Sequence, residues 1–184
     1  MTEDPHSNYR VWDPLVRIGH WLLAVSIALA WFTKEGGGVW HEWIGYVSLA
    51  LVAMRVVWGC FGSPYARFNQ FVRSPAATWR YASQLWHGRK IRYVGHNPLG
   101  GWMILVLLLN TALAGLTGWL YTTNAHWGEE WLEDLHEAFA VSLLVLVALH
   151  VAGVIATSVL QRENLVAAML SGYKRPAAGD DADS

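Results

Sequence analysis

Four of the eight histidines, His20, His41, His136 and His150, lie in or at the ends of long apolar stretches. An ionisable side chain in a membrane helix is costly and is usually there for a function. His136 and His150 are fourteen positions apart. At ~100° per residue that is nearly four whole helical turns, so both rings point the same way, ~21 Å apart along the axis. Each then needs a partner at its own depth. His41, at the start of the second apolar stretch, lies at the level of His136, and His20, near the start of the first, lies at the level of His150. Two imidazoles facing each other from neighbouring helices fill both axial positions of a haem iron. With no open position for oxygen, the expected chemistry is one-electron transfer. The four histidines are therefore candidate axial ligands of two b-type haems, in the pairs His20–His150 and His41–His136. A membrane histidine can instead be hydrogen-bonded to a neighbour, but four at paired depths are harder to explain in that way.

Small and cationic residues accompany the histidines. Gly19 adjoins His20, Gly45 follows His41 by four, Gly153 follows His150 by three, and Gly115 and Gly118 thin the third stretch. Such glycines let a flat cofactor approach a backbone, and they equally serve ordinary helix packing in membranes. Arg17, three residues before His20, and Arg55, embedded in apolar sequence, are candidate partners for haem propionates. Their alternative is to snorkel to the membrane surface. Neither His41-Glu42 nor His136-Glu137 continues into a zinc-protease HExxH motif. The single cysteine, Cys60, excludes an internal disulfide, a CxxCH haem attachment and a cysteine-built cluster, and reads as a small apolar residue. His6 and His87 read as solvated, His126 as a surface residue, and His96 sits ambiguously at the entry to the third stretch.

The elements that must position these groups are membrane helices. Hydrophobic residues make up 54% of the 184 and charged ones only 15%, against about 25% in soluble proteins. A helix crossing ~30 Å of hydrocarbon needs about 20 largely apolar residues, and residues 15–32, 40–60, 99–121 and 135–160 qualify. The expected fold is an all-α integral-membrane bundle of four transmembrane helices at 15–160. It is flanked by an N-terminal segment, 1–14, and a tail, 161–184, whose small acidic end is expected to be disordered. No cleavable leader is evident before the first stretch, which reads as a retained span. Within the long second loop, Ser74-Pro75 reads as a helix start and His87-Gly88 as its end. Trp79, Ala82 and Trp86 at helical spacing suggest an amphipathic helix at 74–87 on the inner membrane surface. The twelve tryptophans suit membrane boundaries.

Charge orients the bundle. Of the thirteen lysines and arginines, only Lys34 falls in the first or third loop; the rest lie in the N-terminal segment, the second loop, the tail, or at the adjoining helix ends. The positive-inside rule then makes both termini and the second loop cytoplasmic. The net charge of −1 offers no case for nucleic acid.

Several segments are similar to a known family: VWDPLVRIGHW at 11–21, MRVVWGCFGSPYARF at 54–68, GHNPLGGWM at 95–103, and LHEAF and ALH around His136 and His150. Over about residues 9–176 the sequence resembles the bacterial cytochrome b561 family and the related b-type cytochrome subunits of membrane-bound nickel–iron hydrogenases. The resemblance implies a four-helix bundle with two stacked haems b, ligated at the positions of His20, His41, His136 and His150. It implies electron transfer between a periplasmic redox partner, such as a c-type cytochrome or a hydrogenase, and ubiquinone or menaquinone, with the inner face as the quinone-contact region. The bacterial inner membrane is the expected location. An alternative is a stand-alone oxidoreductase that oxidises a small reductant such as superoxide at the outer haem and reduces quinone. A haem-free transporter would show internal repeats and broken helices, and neither is present.

Overall fold

A computed structural model of the chain describes residues 9–89, 91, 93 and 95–174. His6, the charges of Lys90, Arg92 and Arg175, and the expected disorder of the acidic C-terminal end lie outside the described residues.

In chain order the elements are a short strand β1 (Tyr9–Arg10), helices α1 (Pro14–Phe32) and α2 (Val39–Phe61), a 3-10 turn at Pro64–Ala66, α3 (Phe68–Phe71), α4 (Pro75–Trp86), α5 (Pro98–Tyr121), α6 (Glu130–Gln161), α7 (Leu165–Ser171) and strand β2 (Tyr173–Lys174). Helices α1, α2, α5 and α6 are each long and apolar enough to cross a membrane. They leave Leu22, Val25, Val47, Val56, Leu109, Val145, Val151 and Ile155 exposed. Apolar surface of this extent is stable only against lipid. The fold is an all-α membrane bundle.

Helix α6 begins at Glu130, a turn before the stretch at 135–160 expected from hydropathy. Glu130 and Glu133 in its first turn suit the positive end of the helix dipole, and Leu132 is buried there. Acidic residues that read as loop are therefore helix.

The chain separates into two compact units. One comprises Ile18–Val57 and Leu105–Ala148, which is most of α1 and α2 with the loop between them and most of α5 and the first part of α6 with theirs. Polar side chains inside it are paired. Ser48 donates to Ser26 at 3.0 Å, and Asn110 donates to Ser142 at 2.7 Å and to the Phe139 carbonyl at 3.3 Å. These bonds tie α1 to α2 and α5 to α6, where no water would satisfy the groups.

The other unit comprises the chain up to Arg17, Trp58–Ile104 and the chain from Leu149. Asp13 caps α1: its Oδ1 accepts from the Val16 amide at 2.9 Å, with Pro14 in the first helical position. Its Oδ2 accepts from Trp58 Nε1 at 3.0 Å and from the Ser63 hydroxyl. Burial works against the Asp13 charge, but hydrogen bonds from Ser63, Trp58 and the Val16 and Leu15 amides outweigh it and hold the carboxyl below its ordinary range. The part of the tail before Pro176 contains a helix that the sequence did not signal. Asn164 caps α7 by accepting from the Ala167 amide, and Gly172, at φ +91°, ends it. The Gly172 carbonyl accepts from the amides of Val11 and Trp12 at 3.0 and 3.1 Å, and β1 pairs antiparallel with β2. Val11, Trp12 and Ala168 form a buried cluster here with Tyr65 and Met169 packed on it.

Helix α4 has Ser74 as its cap and Pro75 in its first position. Trp79 and Trp86 are its outward face, 76% and 90% exposed, while Tyr81 is its inward anchor. Burial, with Tyr93 alongside, pushes the Tyr81 phenol up to about 12.

Candidate functional site

His41 sits in the first turn of α2 and His136 in the second turn of α6. Their rings face each other with centroids 6.1 Å apart and planes at 89°. Each ring is held from a neighbouring helix. His41 Nδ1 lies 3.1 Å from the Ala30 carbonyl and 3.3 Å from Thr33 Oγ1, at the end of α1. His136 Nδ1 lies 2.8 Å from the Ala114 carbonyl and 3.4 Å from Thr117 Oγ1, on α5. A carbonyl can only accept, so Nδ1 carries the proton in both rings and Nε2 is left with its lone pair.

This arrangement fits a metal held axially between two imidazoles. With metal–nitrogen bonds of about 2 Å and about 1 Å from nitrogen to ring centre, the centroids of such a pair stand about 6 Å apart. A cavity of about 320 Å³ adjoins the two rings, lined among others by Gly45, Tyr46, Gly115, Trp119 and Tyr121. A β-carbon at Gly45 would project into open space, so that glycine leaves room beside His41. One at Gly118 would come within 3.0 Å of the His136 ring, so that glycine admits the imidazole itself. Gly115 has another role, because a β-carbon there would meet Leu49 at 2.6 Å. Among the described residues no group of three or more His, Cys, Asp or Glu side chains is placed to hold a metal ion.

His20 lies on α1, half-buried, with its ring edge-on to Trp21 at 5.2 Å. His150 is half-buried on α6, the same continuous helix that carries His136. A β-carbon at Gly153 would meet open space, and one at Gly19 would press on Met54 at 2.8 Å. Arg55 is half-buried in α2. Arg17 gives its Nε to the Met169 carbonyl at 3.3 Å and an Nη to the Leu170 carbonyl, capping the last turn of α7.

The remaining described histidines have other settings. His87 ends α4, with Nδ1 2.7 Å from the Ser83 carbonyl. His126 lies in the turn before α6. His96 is packed between the rings of Trp12 and Phe71, at 4.4 and 4.6 Å, which makes it part of the packing around the N-terminal segment. Sequence reading missed Thr33 and Thr117. The available signal was a threonine three residues after an alanine, at the end of α1 and on α5, beside a candidate histidine ligand.

The model of the family described as prokaryotic cytochrome b561 matches residues 11–172, nearly the whole chain. The chain belongs to the prokaryotic cytochrome b561 family. Among curated relatives of this b561 chain, a probable Ni/Fe-hydrogenase B-type cytochrome subunit of Cupriavidus necator is 26% identical, over 89% of this chain and 86% of that protein. The subunit of the same description from Azotobacter vinelandii is 22% identical, over 89% and 87%. No solved structure matches the chain. Members of the b561 family bind b-type haem, typically two, and the chain is a multi-pass membrane cytochrome of electron transfer with two haems b as its cofactors.

Proposed function

We propose that this cytochrome carries electrons across a bacterial inner membrane, between a redox protein on the periplasmic side and quinone in the bilayer. The carrying observation is the His41–His136 pair, with ring centroids 6.1 Å apart and planes perpendicular, both Nδ1 protons given to carbonyls and both Nε2 atoms left to bind metal. Their spacing in the sequence supports His20 and His150 as the second ligand pair. Haem bound between two imidazoles supplies one-electron transfer with no open coordination position.

The residues assign the remaining roles. Arg55, embedded in the apolar sequence of α2, is the stronger propionate partner; Arg17 gives two donors to the end of α7. The arginines of the segment from Phe61 to Asn97, with those of both chain ends, support a cytoplasmic side for this segment, α4 and both termini by the positive-inside rule. The domain layout is thus a transmembrane haem-binding bundle with cytoplasmic flanks. Trp79 and Trp86 of α4 rest in the headgroup layer. Quinone meets the cytochrome at this inner end, nearest His20 and His150. At the other end Glu42, Glu129, Glu130, Glu133, Asp134 and Glu137 form an acidic rim that steers a basic surface on the partner. The names of the relatives favour a hydrogenase as that partner.

Reconstitution tests the transmembrane step. Liposomes containing the cytochrome and enclosing ferricyanide are exposed to an impermeant reductant outside. Bleaching of the trapped ferricyanide is expected at least about tenfold faster than in protein-free liposomes, and this gain is lost in His150→Ala. Equal rates with and without protein would defeat the relay reading.

A further inference from the structure

The two facing histidines share a feature that the ligand assignment does not require. Each Nδ1 meets a backbone carbonyl and, three residues further on the same neighbouring segment, a threonine hydroxyl: Ala30 and Thr33 for His41, Ala114 and Thr117 for His136. Both hydroxyls spend their own proton on their own helix. Thr33 Oγ1 donates to the Leu29 carbonyl at 2.8 Å, and Thr117 Oγ1 donates to the Leu113 carbonyl at 2.8 Å. A hydroxyl so committed can offer the imidazole only a lone pair. Each Nδ1–H therefore faces two acceptors, one carbonyl and one hydroxyl, and no donor.

Two consequences follow. A proton shared with two acceptors raises the electron density of the ring and with it the basicity of Nε2, the standard effect of a partner behind a metal-bound histidine. Separately, the acceptors fix each ring about its own axis. Those behind His41 belong to the end of α1, those behind His136 to α5, and the resulting planes stand at 89°. Gly118 closes the second clamp, since a β-carbon there would come within 3.0 Å of the His136 ring.

We infer that Thr33, Thr117 and Gly118 are positioning residues: a matched pair of Ala-x-x-Thr clamps that holds the two axial imidazoles perpendicular and lowers the reduction potential of the haem between them. This rests on the reading of His41 and His136 as ligands. Parallel imidazole planes act on the same iron d orbital and split the pair of π-symmetry orbitals. Perpendicular planes act one on each, leaving the pair nearly degenerate and the ferric spin strongly anisotropic. More basic ligands favour ferric over ferrous iron, which lowers the potential.

Electron paramagnetic resonance and redox titration of the full-length oxidised protein in detergent test this. The wild type is expected to show a highly anisotropic low-spin signal with a single large-g feature, absent in His41→Ala. Gly118→Ala pushes against the ring at 3.0 Å, and should keep two haems while moving that signal toward a three-feature rhombic one. Thr33→Val and Thr117→Val should each raise the midpoint potential of this haem alone, with Thr→Ser at the same position returning it. Only rhombic signals in wild type carrying two haems would overturn the perpendicular clamp. Valine variants with unmoved potential, or serine variants that behave like valine, would overturn the role of the hydroxyls. Wild type without a haem lost on His41→Ala would instead refute the ligand assignment beneath it.

Discussion

Alanine at His41 and alanine at His136 are each expected to remove the same haem, and alanine at His20 or His150 the other. Each single variant should retain one haem of the two and about half of the reduced α-band, with no free axial position on the haem that stays. The reason is stereochemical. An axial imidazole deleted from a low-spin site leaves a five-coordinate iron in a pocket built around two rings, and the surviving histidine keeps its Nδ1 bond to Ala30 or Ala114 without a second anchor for the cofactor. The double variant His41→Ala/His136→Ala should therefore lose no more haem than either single one, as expected for residues that act as a unit. Difference spectra and haem content of the purified variants read this out. If His20→Ala and His41→Ala removed one and the same spectral species, the pairing by depth would be wrong.

Valine at Gly172 should be the most destructive single change in the unit formed by the chain ends. Gly172 has φ +91°, a β-carbon there would lie 2.8 Å from the Trp12 carbonyl and 3.0 Å from Arg17 Nη1, and its carbonyl takes the amides of both Val11 and Trp12. A β-branched residue at positive φ costs on the order of 1–3 kcal/mol from backbone strain. Pushing Trp12 away breaks two further backbone hydrogen bonds of about 1 kcal/mol each. We expect a total loss of about 3 kcal/mol or more, read as a lowered thermal midpoint in detergent and as protease sensitivity near residues 162–174. Gly172→Asn, which tolerates positive φ better, should lose less. An unchanged melt for Gly172→Val would show that α7 does not depend on this junction. Arg17, which caps α7 from α1, links the same junction to the helix that carries His20.

The long helices were legible because four runs of apolar residues each exceed what a soluble core strand or helix needs, and α4 was legible because Ser74-Pro75 is a strong start signal. The start of α6 was not, since Glu130 and Glu133 look like loop until their place in a first helical turn is known. Helix α7 and the β1–β2 pair escaped because Leu165–Ser171 is too short for a periodic signal, and its partners Val11 and Trp12 lie at the opposite end of the chain. The facing of His41 and His136 could be read from rise and rotation along helices. The perpendicular setting of their rings could not, because it depends on how far α1 and α5 are rotated when they present Ala30, Thr33, Ala114 and Thr117. Arg17 illustrates the same limit: spacing put it on the face of His20, while its donors are taken by carbonyls some 150 residues away in sequence.

The haem count of the purified protein bears most directly on the four-ligand reading. Pyridine haemochrome assay against quantitative amino-acid analysis should give two haems b per chain, all extracted into acidic acetone because no CxxCH is present to bind haem covalently. A value near one, with His20, His41, His136 and His150 all intact, would contradict it by removing one of the two pairs.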